Sequence, residues 1–387
     1  MKKLLLVGID EGLKNEIVQT SPDVDVVMVT ATSGIDNEIH FETVVISDKE
    51  IQPMGLESYV SKFNGSKIFY LISNNIKTSI IDNKIAICKQ CSIMAIPPKQ
   101  SLKQIVQIIL GIQKKRPTDK KVISIMGTHP QCGTTMISLC LAYLIKEKTN
   151  QTVAVLGLNA FNSGSLFMDY QGPSIDELYD QIAESRRTVK SEDMINYVHT
   201  APNGVVYLAG NQDFTKRFYY KSDDIGSIIQ IFSDQYDIVL LDVGCSPDNN
   251  LTLQGLLNSD SKILVTNQQT VGQNLWARMN SDVLRLLNIT NEEFLMVINK
   301  YRPDFPTDAK ALQQEMNVSV IGTIQDFSSE GLLCELEGRL LIESKDKSVK
   351  KRSTESFGKI AEILLSSLMV NISSQQAEKK SLFKRMK

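Results

Sequence analysis

Strand-length runs of Val, Ile and Leu with no alternating polar residues recur through this 387-residue chain. Runs of that kind belong to strands buried on both faces, as in a parallel sheet covered by helices on either side. In the first third they fall at residues 4–7, 24–29, 43–46, 67–72 and 92–96, with amphipathic stretches between them; Leu13, Ile17 and Val18, for example, sit at helical spacing. Pro97 and Pro98 stop the fifth run. Ser101 then stands as an N-cap before Leu102, Ile105, Val106, Ile109 and Leu110. Residues 114–120 (KKRPTDK) are polar with a proline inside, the composition of a linker. A second series starts at 121, with strands expected at 122–126, 152–156, 204–208, 237–241, 262–266, 294–298 and 318–321. Helices are expected at 134–145, 174–186, 272–287 and 353–368. The rhythm predicts an α/β protein of two domains, 1–113 and 121–370, the second a doubly wound, mostly parallel sheet, followed by a polar and basic tail at 371–387.

Composition narrows the function classes. Hydrophobic residues are 42% and charged residues 22% of the chain, as in an ordinary globular protein. The formal net charge of -2 gives no basic excess to hold a phosphate backbone, so DNA is not an expected partner. The apolar runs are shorter than the ~18 residues of a membrane span. The start, MKKLLLV, is cut by Asp10 and Glu11 without a small-residue cleavage site, and reads as a first strand of a cytoplasmic protein. Six cysteines in such a chain read as reduced thiols. Cys88 and Cys91 form one C-x-x-C without a second Cys/His pair at zinc spacing, which leaves a pair of half-buried cysteines before a strand as the plainer reading.

The segment ISIMGTHPQCGTTM, residues 123–136, is a strand, a loop with Gly and Pro, and a helix opening on two threonines. A phosphate-binding loop has this layout: backbone N–H groups and the helix N-terminus hold phosphate, and a hydroxyl at the second helical position reaches Mg²⁺. Gly133 is the last loop glycine and Thr135 the hydroxyl. The lysine of G-x-x-x-x-G-K-[ST] is Thr134 and its first glycine is Thr128, so the pattern itself is not met. Further along, YDIVLLD ends a buried strand on Asp242, where a carboxylate can hold a Mg²⁺-bound water.

With those two segments in place, the chain resembles the MinD/ParA group of P-loop ATPases, and within it the CpaE/TadZ branch of Flp (Tad) pilus assembly, which carries an atypical receiver domain ahead of the ATPase domain. The resemblance rests on an ordered set: GTHPQCGTTMIS, VAVLGLNAFNSGSLF, GVVYLAGNQD, YDIVLLDVGCSPDNN, KILVTNQQTVGQNL, LMVINKYRP and GTIQDFSSEGLLCELEGRLLIE. It implies that ATP or ADP lies against His129, Gln131, Cys132, Gly133, Thr134 and Thr135, with Asn299 at the base, Gln325 and Asp326 in a second base-contacting loop, and Thr135 and Asp242 at Mg²⁺. It also implies a homodimer that engages a secretion ATPase or membrane-platform protein.

The departures concern charge. The family's signature lysine is His129, the P-loop lysine is Thr134 and the switch I acid is Asn159. Phosphoryl transfer depends on such charges, so binding with slow or no hydrolysis is expected. In the receiver-like (flavodoxin-like) first domain, Asp48 and Ser73 fit receiver chemistry. Gly8 and Ile9 occupy the acid-pair positions, however, and Pro97 occupies the lysine position with Lys99 two residues late. Asp48 is therefore expected as a strand-end acid, and the domain as a docking or dimerisation module. The tail residues EKKSLFKRMK, 378–387, pair basic with apolar side chains, open both to a solvated end and to peripheral contact with anionic membrane. Two rival functions stay open: an active partitioning ATPase, and a scaffold that binds no nucleotide.

Overall fold

The computed structural model describes residues 2–30, 40–73, 78–98, 100–112, 121–161, 167, 170–185, 196–368 and 370. The linker 114–120, Lys99 and the tail 371–387 lie outside the described residues. By contacts the chain divides into two compact units, Met1–Lys115 with Ser281–Ile289, and Arg116–Asn280 with Thr290–Lys387.

The first unit runs β1 (Lys2–Val7), α1 (Glu11–Thr20), β2 (Val24–Val29), β3 (Thr43–Ser47), α2 (Leu56–Lys62), β4 (Lys67–Leu71), α3 (Thr78–Gln90), β5 (Met94–Ile96) and α4 (Leu102–Leu110). The strands pair in the order β2-β1-β3-β4-β5, all parallel. This is the flavodoxin-like order. Helix starts follow side-chain chemistry. Asp10 caps α1 by accepting from Leu13 N at 3.3 Å. Ser101 and Gln104 form a capping box on α4, and Gly111 in the left-handed region ends that helix. Cys88 is buried on α3 and Cys91 is half-buried beyond its end.

The second unit begins with β6 (Lys121–Gly127) and α5 (Thr134–Lys148), then β7 (Val153–Gly157), α6 (Ile175–Ser185), β8 (His199–Thr200), β9 (Val206–Leu208), α7 (Ser222–Gln235), β10 (Ile238–Gly244) and α8 (Asn250–Leu257). It continues with β11 (Ser261–Thr266), α9 (Thr270–Met279), β12 (Phe294–Tyr301), α10 (Ala309–Met316), β13 (Ser319–Gln325), α11 (Ser328–Leu336) and α12 (Lys347–Ser367). Its eight strands run β13-β12-β11-β6-β10-β7-β9-β8, parallel except for the β8–β9 pair. From β6 the chain crosses over β10 to reach β7, and from β10 it crosses over β6 to reach β11. The winding therefore reverses between β6 and β10, and the crevice at the strand ends there is where open α/β sheets bind ligands.

Helix α5 is buried almost all round, from Thr134 and Thr135 to Ile145, and forms the centre of a core shared with β6, β10 and α12. The stretch expected as one helix over 272–287 is instead α9, a π turn over Asn280–Leu284 and a 3-10 turn over Arg285–Leu287. The break coincides with the passage of Ser281–Ile289 into the first unit, where Leu286 joins the apolar core. No described helix is long and apolar enough to cross a membrane.

Candidate functional site

The loop between β6 and α5 is folded on itself by its own backbone. Gln131 has φ 63° and Gly133 φ 97°, so two left-handed residues turn the chain into the helix. The Cys132 amide donates to the His129 carbonyl at 3.4 Å, and Ile137 N donates to the Gly133 carbonyl at 3.0 Å to begin α5. A Cβ on Gly133 would lie 2.3 Å from Asn299 Nδ2, and one on Gly127 would lie 2.4 Å from Cys132 Sγ. At Gly133 the left-handed backbone adds strain for any side chain, and at Gly127 the Cys132 and Thr134 side chains would have to shift. α5 has no side-chain cap at its start, so its first amides depend on the backbone for partners or on an anion.

Under the loop, Thr135 Oγ1 donates to Asp242 Oδ2 at 2.6 Å. Asp242 lies at the bend of β10 next to β6, and both residues are buried. Thr134, Asn159 and the Gly244 amide donate to the same carboxyl. Burial outweighs those donors and raises its pKa above the ordinary 3.8. The carboxyl therefore sits where a cation would relieve it, with a hydroxyl directly beside it. Asn159, after β7, packs against Gly244, and its backbone carbonyl accepts from Asn211 N at 3.1 Å. Asn211 Nδ2 in turn donates to Asp176 Oδ1 at 2.8 Å. The second oxygen of Asp176 takes the amides of Gln212 (2.7 Å) and Asp213 (3.2 Å), and Tyr220 donates its hydroxyl to Oδ1.

His129 is buried. Its Nδ1 lies 2.7 Å from the Pro130 carbonyl, which can only accept, so the ring proton is at Nδ1. Its Nε2 is buried with no partner. From β12, Asn299 Nδ2 donates to the Cys132 carbonyl at 2.8 Å, which spends its amide on the loop itself. The next residue, Lys300, has φ 51° and donates its ammonium to the Gln131 carbonyl at 3.2 Å.

The fold thus gathers His129, Gln131, Cys132, Gly133, Thr134, Thr135, Asn159, Asp242 and Asn299 around one loop. Gln325 and Asp326 stand at the same sheet edge, beyond β12, with other partners. Gln325 Oε1 accepts from Arg352 Nη1 at 3.1 Å, and Asp326 Oδ1 accepts from Ser328 N at 2.9 Å. Lys300 was not legible as a loop contact, because the contact depends on β12 lying two strands from β6 and on a left-handed lysine.

No family model matches the chain, and no curated protein sequence matches it. Among solved structures it is similar to a ParA family ATPase from Chlorobium tepidum TLS, with 12% identity over 63% of this chain and 98% of that one, at TM-score 0.54. The fold is that of the MinD/ParA P-loop ATPases. The septum site-determining protein MinD from Pyrococcus horikoshii OT3, complexed with Mg-ADP, is 20% identical over 63% of this chain and 96% of that one, at TM-score 0.52. McdA from Cyanothece in complex with ATP is 14% identical over 67% of this chain and all of that one, also at 0.52. At these identities the likeness is one of fold.

In the first unit, the carboxyl at the end of β3 is not the plain strand-end acid expected from the sequence. Asp48 is buried, with Oδ2 2.7 Å from Lys84 Nζ on α3 and 3.0 Å from Ser73 N, while Oδ1 accepts from the Ser73 hydroxyl. Although burial acts in the opposite direction, the Lys84 and Ser73 donors hold the carboxyl below its usual value. The cation comes from α3, thirteen residues ahead of Pro97, where the receiver pattern would place it.

Proposed function

We propose that the chain is a nucleotide-binding positioning protein of the MinD/ParA type, of the CpaE/TadZ kind, that binds ATP or ADP with Mg²⁺ and hydrolyses ATP slowly or not at all. One observation carries this reading: the Thr135 hydroxyl meets the buried Asp242 carboxyl at 2.6 Å beneath a glycine-turned loop, while the family's two lysine positions are Thr134 and His129. Mg²⁺ supplies charge neutralisation at the phosphates when bound. Thr135 would hold it directly and Asp242 through water. The amides of Gln131–Thr135 would hold phosphate, since amides survive side-chain substitution. Lys300 adds an ammonium at the loop rim. Hydrolysis suffers because each missing charge stabiliser commonly adds about 2–4 kcal/mol to the barrier.

Nucleotide-dependent dimerisation and recruitment of a secretion ATPase or membrane-platform protein of a pilus-like system complete the proposal. The ordered segment set supports them, and the net charge of -2 disfavours DNA partitioning. Calorimetry with Mg-ATP, beside steady-state turnover and with Thr135→Ala as control, tests the nucleotide reading. Saturable binding lost in Thr135→Ala, with turnover far below ~1 per second, is the expected result. No binding at millimolar Mg-ATP would leave the scaffold reading.

A further inference from the structure

Helix α11 faces the wrong way for its composition. Cys334 and the preceding Phe327 are buried in the core of the second unit, yet Leu332, Leu333 and Leu336 are 69%, 53% and 85% exposed. At 100° per residue these leucines fall within one arc opposite Cys334, with Glu335 on one flank and Glu330 on the other. The segment 326–337 carries Asp326, Glu330, Glu335 and Glu337; Glu337 pairs with Arg339 and Lys345, which leaves Glu330 and Glu335 as the acids beside the leucines. Just past the helix a cleft of about 480 Å³ is lined by Tyr143, His199, Asn203, Glu337, Arg339 and Glu343. His199 Nε2 and Asn203 Nδ2 are buried there without partners. An outward leucine stripe rimmed by acids, leading into a cleft with unpaired polar atoms, is a docking face for a short basic and apolar peptide.

The chain carries such a peptide. Residues 379–387 (KKSLFKRMK) set Leu382, Phe383 and Met386 among Lys379, Lys380, Lys384, Arg385 and Lys387. Charge and apolar content are the complement of the α11 face. The reach is sufficient. Ser353 on α12 donates to the Leu341 carbonyl at 3.0 Å, which ties the segment after α11 to the first half of α12. The remaining turns of α12 to Ser367 rise about 21 Å. Residues 371–381 span up to about 35 Å when extended. We propose that the tail of this same chain docks on the Leu332/Leu333/Leu336 face of α11, so that the basic segment is held and released as a unit. Tethering gives it a millimolar effective concentration, so even a weak contact is occupied in cis.

The test uses fluorescein-labelled peptide 377–387 and the full chain in two forms, unaltered and with Leu382→Ser and Phe383→Ser to release its own tail. Fluorescence anisotropy should show saturable binding to the released form, about fivefold or more tighter than to the unaltered chain, whose tail competes. Adding Leu336→Asp to the released form should weaken binding about tenfold. Glu335→Lys should weaken it too and flatten its salt dependence. Leu332→Ser provides a second apolar test, and circular dichroism confirms that these surface variants fold. Absence of saturable binding, equal binding to the two forms, or insensitivity to both Leu336→Asp and Leu332→Ser would each overturn the proposal.

Discussion

Removing Lys84 would leave Asp48 as a buried carboxyl facing only the Ser73 donors. In the intact pair the side chains are 9% and 1% exposed and 2.7 Å apart. Breaking a buried pair by deleting one partner costs about 3–5 kcal/mol, most of it the desolvation of the charge left behind. Lys84→Met keeps the stem volume on α3 and removes the ammonium. Asp48→Asn/Lys84→Met removes both charges and should return to within about 1.5 kcal/mol of the natural chain. Hydrogen exchange of peptides spanning β3 and β4, with β6 and β10 as internal reference, reads the first unit by itself. The single variant should exchange roughly a hundred- to several-thousand-fold faster in those strands. The sign with pH follows from the direction of the shift. Asp48 is lowered below 3.8 in the fold. Its contribution is therefore full above that unfolded value and is lost as pH falls through the lower folded one. In Lys84→Met burial raises the carboxyl instead, so the defect is greatest at neutral pH and shrinks on acidification. A single variant within about fivefold of the natural chain, or a double variant as damaged as the two singles summed, would refute the ion-pair account.

Because both oxygens of Asp48 are taken by Lys84 and Ser73, acetyl phosphate and beryllofluoride should leave it unmodified by intact mass spectrometry. Asp242 is raised above 3.8 by burial, so without Mg²⁺ its ionisation costs stability as pH rises past that value; Mg-nucleotide should offset that loss, read as a larger rise in thermal midpoint on the alkaline side of the transition than on the acid side. Gly133→Ala places a Cβ 2.3 Å from Asn299 Nδ2 in a left-handed residue; it should abolish nucleotide binding and destabilise the chain by about 1–3 kcal/mol in chemical denaturation. Although burial acts in the opposite direction, the Tyr220, Gln212, Asn211 and Asp213 donors hold Asp176 below 3.8. Asp176→Ala should cost about 2–4 kcal/mol at neutral pH, and the contribution should vanish in acid, measured by denaturant titration at pH 7 and below pH 3.

The parts of this fold that were legible share one property: their signal is local. Strands buried on both faces announce themselves as unbroken apolar runs, and β6, β10, β11 and β12 lie within a few residues of where those runs fall. β8 has two residues and no such run. The interruption after Met279 is invisible because the pattern of Leu284, Leu286 and Leu287 still reads as a helix face; what breaks it is that the segment belongs to another core. Lys84 sits between Ile81 and Cys88 on the buried side of α3, and a lysine in an apolar stripe is a local hint of a buried partner. Which carboxyl it meets depends on α3 packing over the end of β3, a contact across 36 residues. Thr135 and Asp242, singled out from the segments around β6 and β10, meet at 2.6 Å. The contacts of Asn299 and Lys300 with the loop depend on strand order.

On the nucleotide reading proposed above, the loop keeps a phosphate-binding shape with fewer cationic side chains, and those two features have different causes. The loop is held by Gln131 and Gly133 in left-handed conformations, by the Asn299 amide on the Cys132 carbonyl and by the Thr135–Asp242 bond. The Lys300 ammonium adds a contact on the Gln131 carbonyl; the others need no cation, so the loop geometry does not depend on a lysine at position 129 or 134. His129 commits Nδ1 to the Pro130 carbonyl, which leaves Nε2 as the ring nitrogen without a partner. On that same reading, anion binding would come from backbone amides, the α5 dipole, the Lys300 ammonium at the loop rim and Mg²⁺ held by Thr135 and Asp242. The positions that the resemblance would fill with charge are those that a phosphoryl group needs as it leaves. On the proposed reading, such a site would report the presence of nucleotide more readily than it would consume it, as a positioning or assembly protein requires.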